Sequence, residues 1–229
     1  MLKQICKYLK IKSLKAVVCL LIVFGAYSCL GQNYETWDLV SLSKNTVGLE
    51  LSGSPKVVSS PHGESLSFNG IDDALFLNQM PLKDLETFTV EMIFKPAIDG
   101  SFEQRVLHMG EVSGDRMLLE IRALNGHWYF DGFVKSGENK KALVDEALIH
   151  ELGVWHHVAF VIDKHRLTTY VNGVKELQEA FEFSPIQTGR TSIGVRLNKR
   201  SWFKGDVFKI RITPKVLKPK DFMSFGKIN

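Results

Sequence analysis

VWHHVAFVIDKHRLTTYVNG, Val154 to Gly173, places two histidines side by side behind a tryptophan, with a third nearby at His165. In an extended strand successive side chains point to opposite faces. His156 then groups with Val154, Val158, Phe160 and Ile162, and His157 with Trp155, Ala159, Val161 and Asp163. Two imidazoles on opposite faces cannot chelate one ion. Both faces are mostly apolar, as expected of a strand in the middle of a covered sheet. Asp163-Lys164-His165-Arg166 reads as a polar turn, and Arg166 to Val171 as the returning strand, closed by the tight-turn pair Asn172-Gly173.

The same period of two runs outward from this hairpin. Thr87 to Phe94 alternates Phe88, Val90, Met92 and Phe94 against a mostly polar set. Leu66 and Phe68 alternate, Asn69-Gly70 turns, and Ala74 to Leu77 returns. Gly126 to Val134, Thr191 to Leu197 and Val207 to Thr213 read as further strands, and Pro214 stops the last because proline donates no ladder hydrogen bond. Helix is predicted at two places only, Lys141 to Leu152 and a single turn over Pro219 to Phe225 with proline at its start. Ten or more short strands with turns every ~8–12 residues predict an all-β, two-sheet antiparallel jelly-roll sandwich.

The first 28 residues stand apart. Lys3, Lys7, Lys10, Lys12 and Lys15 form a basic region without an acid, followed by an apolar run from Ala16 to Ala26. That run is shorter than the ~20 residues a membrane span needs, and small residues at Ala26 and Ser28 suit an export cleavage site. Residues 1–28 therefore read as a signal peptide and 29–229 as one domain. Of 29 Lys+Arg, five lie in this leader, leaving 24 against 25 Asp+Glu. The basic balance belongs to the leader, so the domain makes no electrostatic case for nucleic acid.

All three cysteines, Cys6, Cys19 and Cys29, fall at or before the cleavage point, so the domain has no disulfide framework. Ala26-Tyr27-Ser28-Cys29 resembles a bacterial lipobox, in which the cysteine is lipidated and anchors the protein; Tyr27 is bulkier than the usual occupant. Ordinary cleavage after Ser28 or Gly31 is the rival reading. Either way the domain is expected outside the cytoplasm, secreted or lipid-anchored at the bacterial envelope, touching membrane only through that anchor.

LSFNGIDDALFL, TFTVEMIFKP, WHHVAFVIDKHRLTTYVNGVKEL and WFKGDVFKIRITPKVLKPKDF occur in the order and spacing of LamG-like (laminin G type) jelly rolls of the concanavalin A-like lectin/glucanase superfamily. The resemblance runs from about Leu66 to Phe222. It implies an extracellular module that binds glycans or proteins, with calcium the ion some members take. Asp72 and Asp73 match the family's early acidic pair, although a hard cation needs ~6–8 oxygens and a turn-capping role is the competing reading. After Gly205, Phe208 and Lys209 stand where relatives often carry acids.

The superfamily also contains glycan hydrolases and lyases. Retaining hydrolysis needs two carboxyls ~5–5.5 Å apart, which acids at i and i+2 of one strand would supply. Only Asp84 and Glu86 have that spacing, in a polar segment before a strand; acids converging from different strands stay open. No Gly-x-Ser-x-Gly elbow, phosphate-binding glycine loop or zinc-spaced histidine set occurs. A binding module is thus the first reading, a glycan-active enzyme the second, and a structural envelope lipoprotein the third. Ligand contact is expected from aromatics at the sandwich edge, Trp128 and Tyr129 after Asn125-Gly126, and Trp202 beside Lys199, Arg200 and Lys204. If Cys29 carries the anchor, cells fed radioactive fatty acid will label the wild-type protein and not Cys29→Ser; equal labelling of both removes the anchor.

Overall fold

The computed structural model describes residues 34–224. β12 (His156–Asp163) lies between β6 (Thr87–Pro96) and β13 (Arg166–Val171), antiparallel to both. It belongs to an eight-stranded sheet that continues outward through β14 (Val174–Ala180) on one side and through β16 (Lys204–Thr213), β4 (Gly63–Asn69) and β3 (Lys56–Ser60) on the other. β1 (Glu35–Asp38) pairs with the far half of β16. A second eight-stranded sheet runs β10 (Asn139–Val144), β9 (His127–Ser136), β8 (Arg116–Leu124), β7 (Glu103–Gly110), β15 (Arg190–Ile193), β5 (Ala74–Leu77) and β2 (Leu49–Ser52), with β11 (His150–Glu151) against β9. The expected two-sheet antiparallel sandwich is what forms.

Alternation decides the core. Phe88, Val90, Met92 and Phe94 of β6 and Val158, Phe160 and Ile162 of β12 are at most 1% exposed and meet Leu119, Ile121, Trp128, Phe130 and Val134 of the second sheet. The adjacent histidines face opposite ways. His156 points inward, its ring 5.1 Å from Trp128, and its Nε2–H donates to the Glu151 carbonyl at 2.8 Å. His157 points outward, with Nε2 3.0 Å from Glu91.

The outer face of the first sheet is closed by the chain's own C-terminal segment. Glu91 is fully buried there. Its carboxylate accepts from Arg211 Nε at 2.6 Å, from Arg211 Nη2 and from the backbone N–H of Met223 at 2.5 Å. Phe222, just past the 3-10 turn at Pro219–Asp221, packs on His157 and Tyr170 at 5.5 and 5.1 Å.

Two local expectations are corrected. Lys141 to Leu152 is not a helix: β10 pairs with β9 from Asn139↔Ser136 to Val144↔Asp131, then Asp145 caps a turn through the Ala147 N–H, and β11 follows. Pairing to the β9 edge outweighs a weak helical propensity, and the strand places Leu143 in the core. Conversely, a short helix α1 (Leu39–Asn45) forms where none was expected. Asp38 caps it by accepting from the Ser41 N–H at 3.1 Å, and Leu39 and Leu42 pack into the core. Phe208 is the extra residue of a β-bulge between Val207 and Lys209.

Removing the Glu91 carboxylate strands Arg211 without its counter-charge. Glu91→Ala is expected to cost roughly 3 kcal/mol, lowering the thermal midpoint by about 6–12 °C; an unchanged melting curve would contradict this account of the outer face.

Candidate functional site

The second sheet's outer face is where unusual chemistry gathers. One row of directly paired residues crosses it: Glu50, Phe76, Ser192, His108, Leu118, Phe133 and Ala142. The next row is Arg105, Glu120, Asp131 and Val144, and beyond it lie Glu103, Arg122 and Tyr129.

The second and third rows form a charge lattice. Arg105 Nε donates to Glu120 at 2.9 Å, and Arg122 reaches Asp131 at 2.6 Å, Glu103 at 2.7 Å and Glu120 at 3.4 Å. Glu120 and Asp131 expose only 3% and 7% of their side chains. Burial, reinforced by the Asp131 charge, pushes the Glu120 carboxyl up to about 7 despite Arg105 and Arg122. Burial raises Asp131 as well, and its Oδ1 is enclosed without a hydrogen-bond partner among the described residues. Arg105 also ties down the 194–203 loop, donating from Nη1 to Ser201 Oγ at 2.6 Å and from its backbone to the Ser201 carbonyl at 2.9 Å.

On the other side of that loop, over β5 and β15, a cavity of about 400 Å³ opens. Phe76 is its floor, and Glu50, Glu111, Arg190, Leu197 and Lys199 are among its walls. The Arg190 guanidinium stands 5.5 Å and the Lys199 ammonium 5.4 Å from the Phe76 ring centroid. Ala74, Val195, Leu197 and Trp202 pack with Phe76 into a small cluster outside the main core. The loops that frame it are braced: Arg196 donates to the Val112 carbonyl at 2.9 Å, and Gly189, at φ +123°, lies too close to the Gly110 backbone for any Cβ. Beneath, His108 Nε2 bonds the Glu111 carbonyl at 3.0 Å while Nδ1 accepts from the Leu197 N–H at 3.4 Å, a pairing that fits the Nε2–H tautomer. Burial first, then the charges of Arg196 and Arg116, lower its pKa to about 3.

The sequence-derived candidates separate. Trp128 is fully buried, stacked edge-on against Phe94 at 5.3 Å, so its ring is closed to any ligand. Being next in the strand, Tyr129 faces the other way, onto the outer face, beside a smaller hollow of about 200 Å³ lined with Leu124, His127, Glu146 and Ile149. Trp202 is half-buried next to Phe76. Cys29 lies outside the described residues. Asp73 serves its turn: Oδ1 accepts from the Ser54 N–H at 2.7 Å and Oδ2 from the Asn69 N–H at 3.0 Å, while the Asn69 amide nitrogen bonds Asp72 at 2.8 Å. Among the described residues no three His, Cys, Asp or Glu side chains gather as a metal-binding group. Glu86 pairs with exposed Lys164 at 3.3 Å, away from the sheet faces.

Sequence reasoning missed Phe76, Arg190 and the Glu120–Asp131 pair. The last was within reach. Asn125-Gly126 is a tight turn that sets Leu124 opposite His127, and counting back from it puts Glu120 opposite Asp131.

The family model Laminin_G_3, described as the concanavalin A-like lectin/glucanases superfamily, matches residues 69–221. The chain belongs to that superfamily. No curated protein sequence matches it. Among solved structures it is similar to domain 4 of AbnA, a GH43 extracellular arabinanase from Geobacillus stearothermophilus solved in complex with arabinotriose (TM-score 0.64, 18% identity, 82% of this chain and 94% of that one). It is also similar to the NanB sialidase from Streptococcus pneumoniae (TM-score 0.60, 18% identity, 73% of this chain but only 28% of the sialidase). A third is the binding domain of Paraclostridial Mosquitocidal Protein 1 (TM-score 0.58, 15% identity, 79% and 47%). At these identities the likeness is one of fold.

The Glu120 shift has a sign that can be measured. Its folded pKa of about 7 lies above the ordinary 4.5, so its stabilisation is complete below pH 4.5 and is lost as pH rises through about 7. His108 runs the other way, contributing above 6.5 and losing its contribution as pH falls towards about 3, and buried His156 shifts in the same direction as His108. The signature is therefore the difference from Glu120→Gln. Between about pH 5 and 7.5, wild-type unfolding free energy should fall relative to that variant by on the order of 2 kcal/mol in urea titrations; parallel curves would refute the assignment.

Proposed function

We propose that this chain is an exported, non-catalytic glycan-binding module whose ligand lies across the outer face of the second sheet. The observation that carries this is the cavity floored by Phe76 beside half-buried Trp202, walled by side chains that both donate and accept. Phe76 is only 2% exposed, so the aromatic face open to the C–H groups of a sugar is that of half-buried Trp202 beside it, and charged groups at the rim form the stronger hydrogen bonds to hydroxyls. The cavity lies within the ~300–1,000 Å³ range of small-molecule sites. A neighbour of the same fold, solved with arabinotriose, supports the reading. Export rests on the basic and apolar leader of residues 1–28, and attachment at the envelope on Cys29.

A second reading, a glycan-active enzyme, has one observation in its favour. Glu120 and Asp131 are cross-strand neighbours, and a carboxyl that titrates near 7 suits a general acid. Both carboxylates, however, are engaged by guanidiniums and almost wholly buried, which leaves little room for a scissile bond. Binding is therefore placed first.

The exported protein on a glycan array should retain a defined set of oligosaccharides, and Trp202→Ala should weaken that retention about tenfold while no reducing sugar is released. Retention of surface proteins with no glycan bound would replace the ligand class. Sugar release abolished by Glu120→Gln would establish the enzyme instead.

A further inference from the structure

We propose that the Phe76 cavity selects a sugar carrying an anionic group, a carboxylate or a sulfate, which sits between Arg190 and Lys199. The proposal rests on the glycan-binding reading above and adds the charge of the ligand to it.

The two cations over one aromatic ring are poorly neutralised. Lys199 has no carboxylate within ion-pair distance among the described residues, and Arg190 has only Glu50 at 3.5 Å, both side chains being well exposed. An exposed pair at that separation is weak, so an incoming anion can displace it. Glu111, the other acid of the wall, accepts from the Thr188 hydroxyl and makes no ion pair with Arg190 or Lys199 among the described residues. The loop over the cavity adds to the imbalance, since Arg196 to Phe203 contains three cations, Arg196, Lys199 and Arg200, and no acid, while Lys204 just beyond it is paired with Asp99 at 2.6 Å. Burial first, and then Arg196 and Arg116, oppose protonation of His108 beneath the cavity.

The opposite end of the same face differs. There Arg105 and Arg122 are matched by Glu103, Glu120 and Asp131, so no positive charge is left over for a ligand. Anion selectivity is therefore confined to the Phe76 end. The framework around it is stiff, because Gly110 and Gly189 cross at backbone contact and Arg196 is bonded to Val112. Arg190 and Lys199 thus present their charges from fixed walls. An anion bridging them sits above the buried Phe76 ring, and the half-buried Trp202 beside it is the aromatic surface on which the C–H face of the sugar rests.

The test compares three forms of one oligosaccharide on the exported protein by calorimetry: uronate-containing, carboxyl-reduced and sulfated. The anionic forms should bind about tenfold tighter than the neutral one and lose that margin as salt is raised. Arg190→Gln and Lys199→Gln should each weaken anionic binding about tenfold and neutral binding less than about twofold. Both side chains reach solvent, and thermal melts control for folding. The uronate and sulfate arms tell which anion is preferred. Equal affinity for the neutral form, or full anionic affinity in both variants, overturns the charge selectivity and leaves glycan binding standing. Absence of binding to every form overturns both.

Discussion

Phe160 of β12 seats against Gly132 of β9, and the architecture depends on that fit. A Cβ on Gly132 would come within 3.0 Å of the Phe160 ring and 2.9 Å of Thr169, closer than side chains pack. Large residues on one sheet need small ones across from them, because protein interiors fill space at nearly crystalline density. With Phe94, Trp128 and Phe203 filling the neighbouring positions, the inner faces are consumed by packing. Only the outer faces are left to vary, and the two are treated differently. The chain's own C-terminal segment closes part of the first, around Glu91. The second carries charged rows, two hollows and a basic loop.

That second face couples structure to chemistry. Buried ion pairs contribute little net stability when complete and cost heavily when broken. Glu120 and Asp131 nevertheless have almost no exposure, and Arg105 and Arg122 expose only 12% and 18% of their side chains. Their visible effect is positional. Through Ser201, Arg105 fixes the loop that carries Lys199 and Trp202, so the lattice at one end of the face sets the geometry of the cavity at the other.

How much of this was legible varies with range. The Asn-Gly turns and the alternating strands were readable because a two-residue turn and a two-residue period are local properties. They place Tyr129 outward as surely as they place Trp128 inward, which is why only one of the two ligand candidates reaches the outer face. The short helix was missed although Asp38 and the Leu39–Leu42 spacing announce it. The 141–152 helix was misread because a weak propensity yields to pairing with the β9 edge. Glu120 opposite Asp131 was within reach from the hairpin turn, whereas Arg105 joins them only through a bulged pairing of β7 with β8.

The sequence by itself determined the strands with a clear two-residue period, among them β6, β9, β12 and β13, which of their residues face in or out, and that His156 and His157 could never share an ion. It also contained the motif order that marks the superfamily. Only the tertiary structure decided which outward residues become neighbours. Phe76, Arg190 and Lys199 come from β5, β15 and a late loop, and they meet because β5 pairs with β15 across the sheet. The physical reason is that a strand's faces follow from a local period, while pairing between distant strands is settled by the packing of the whole core.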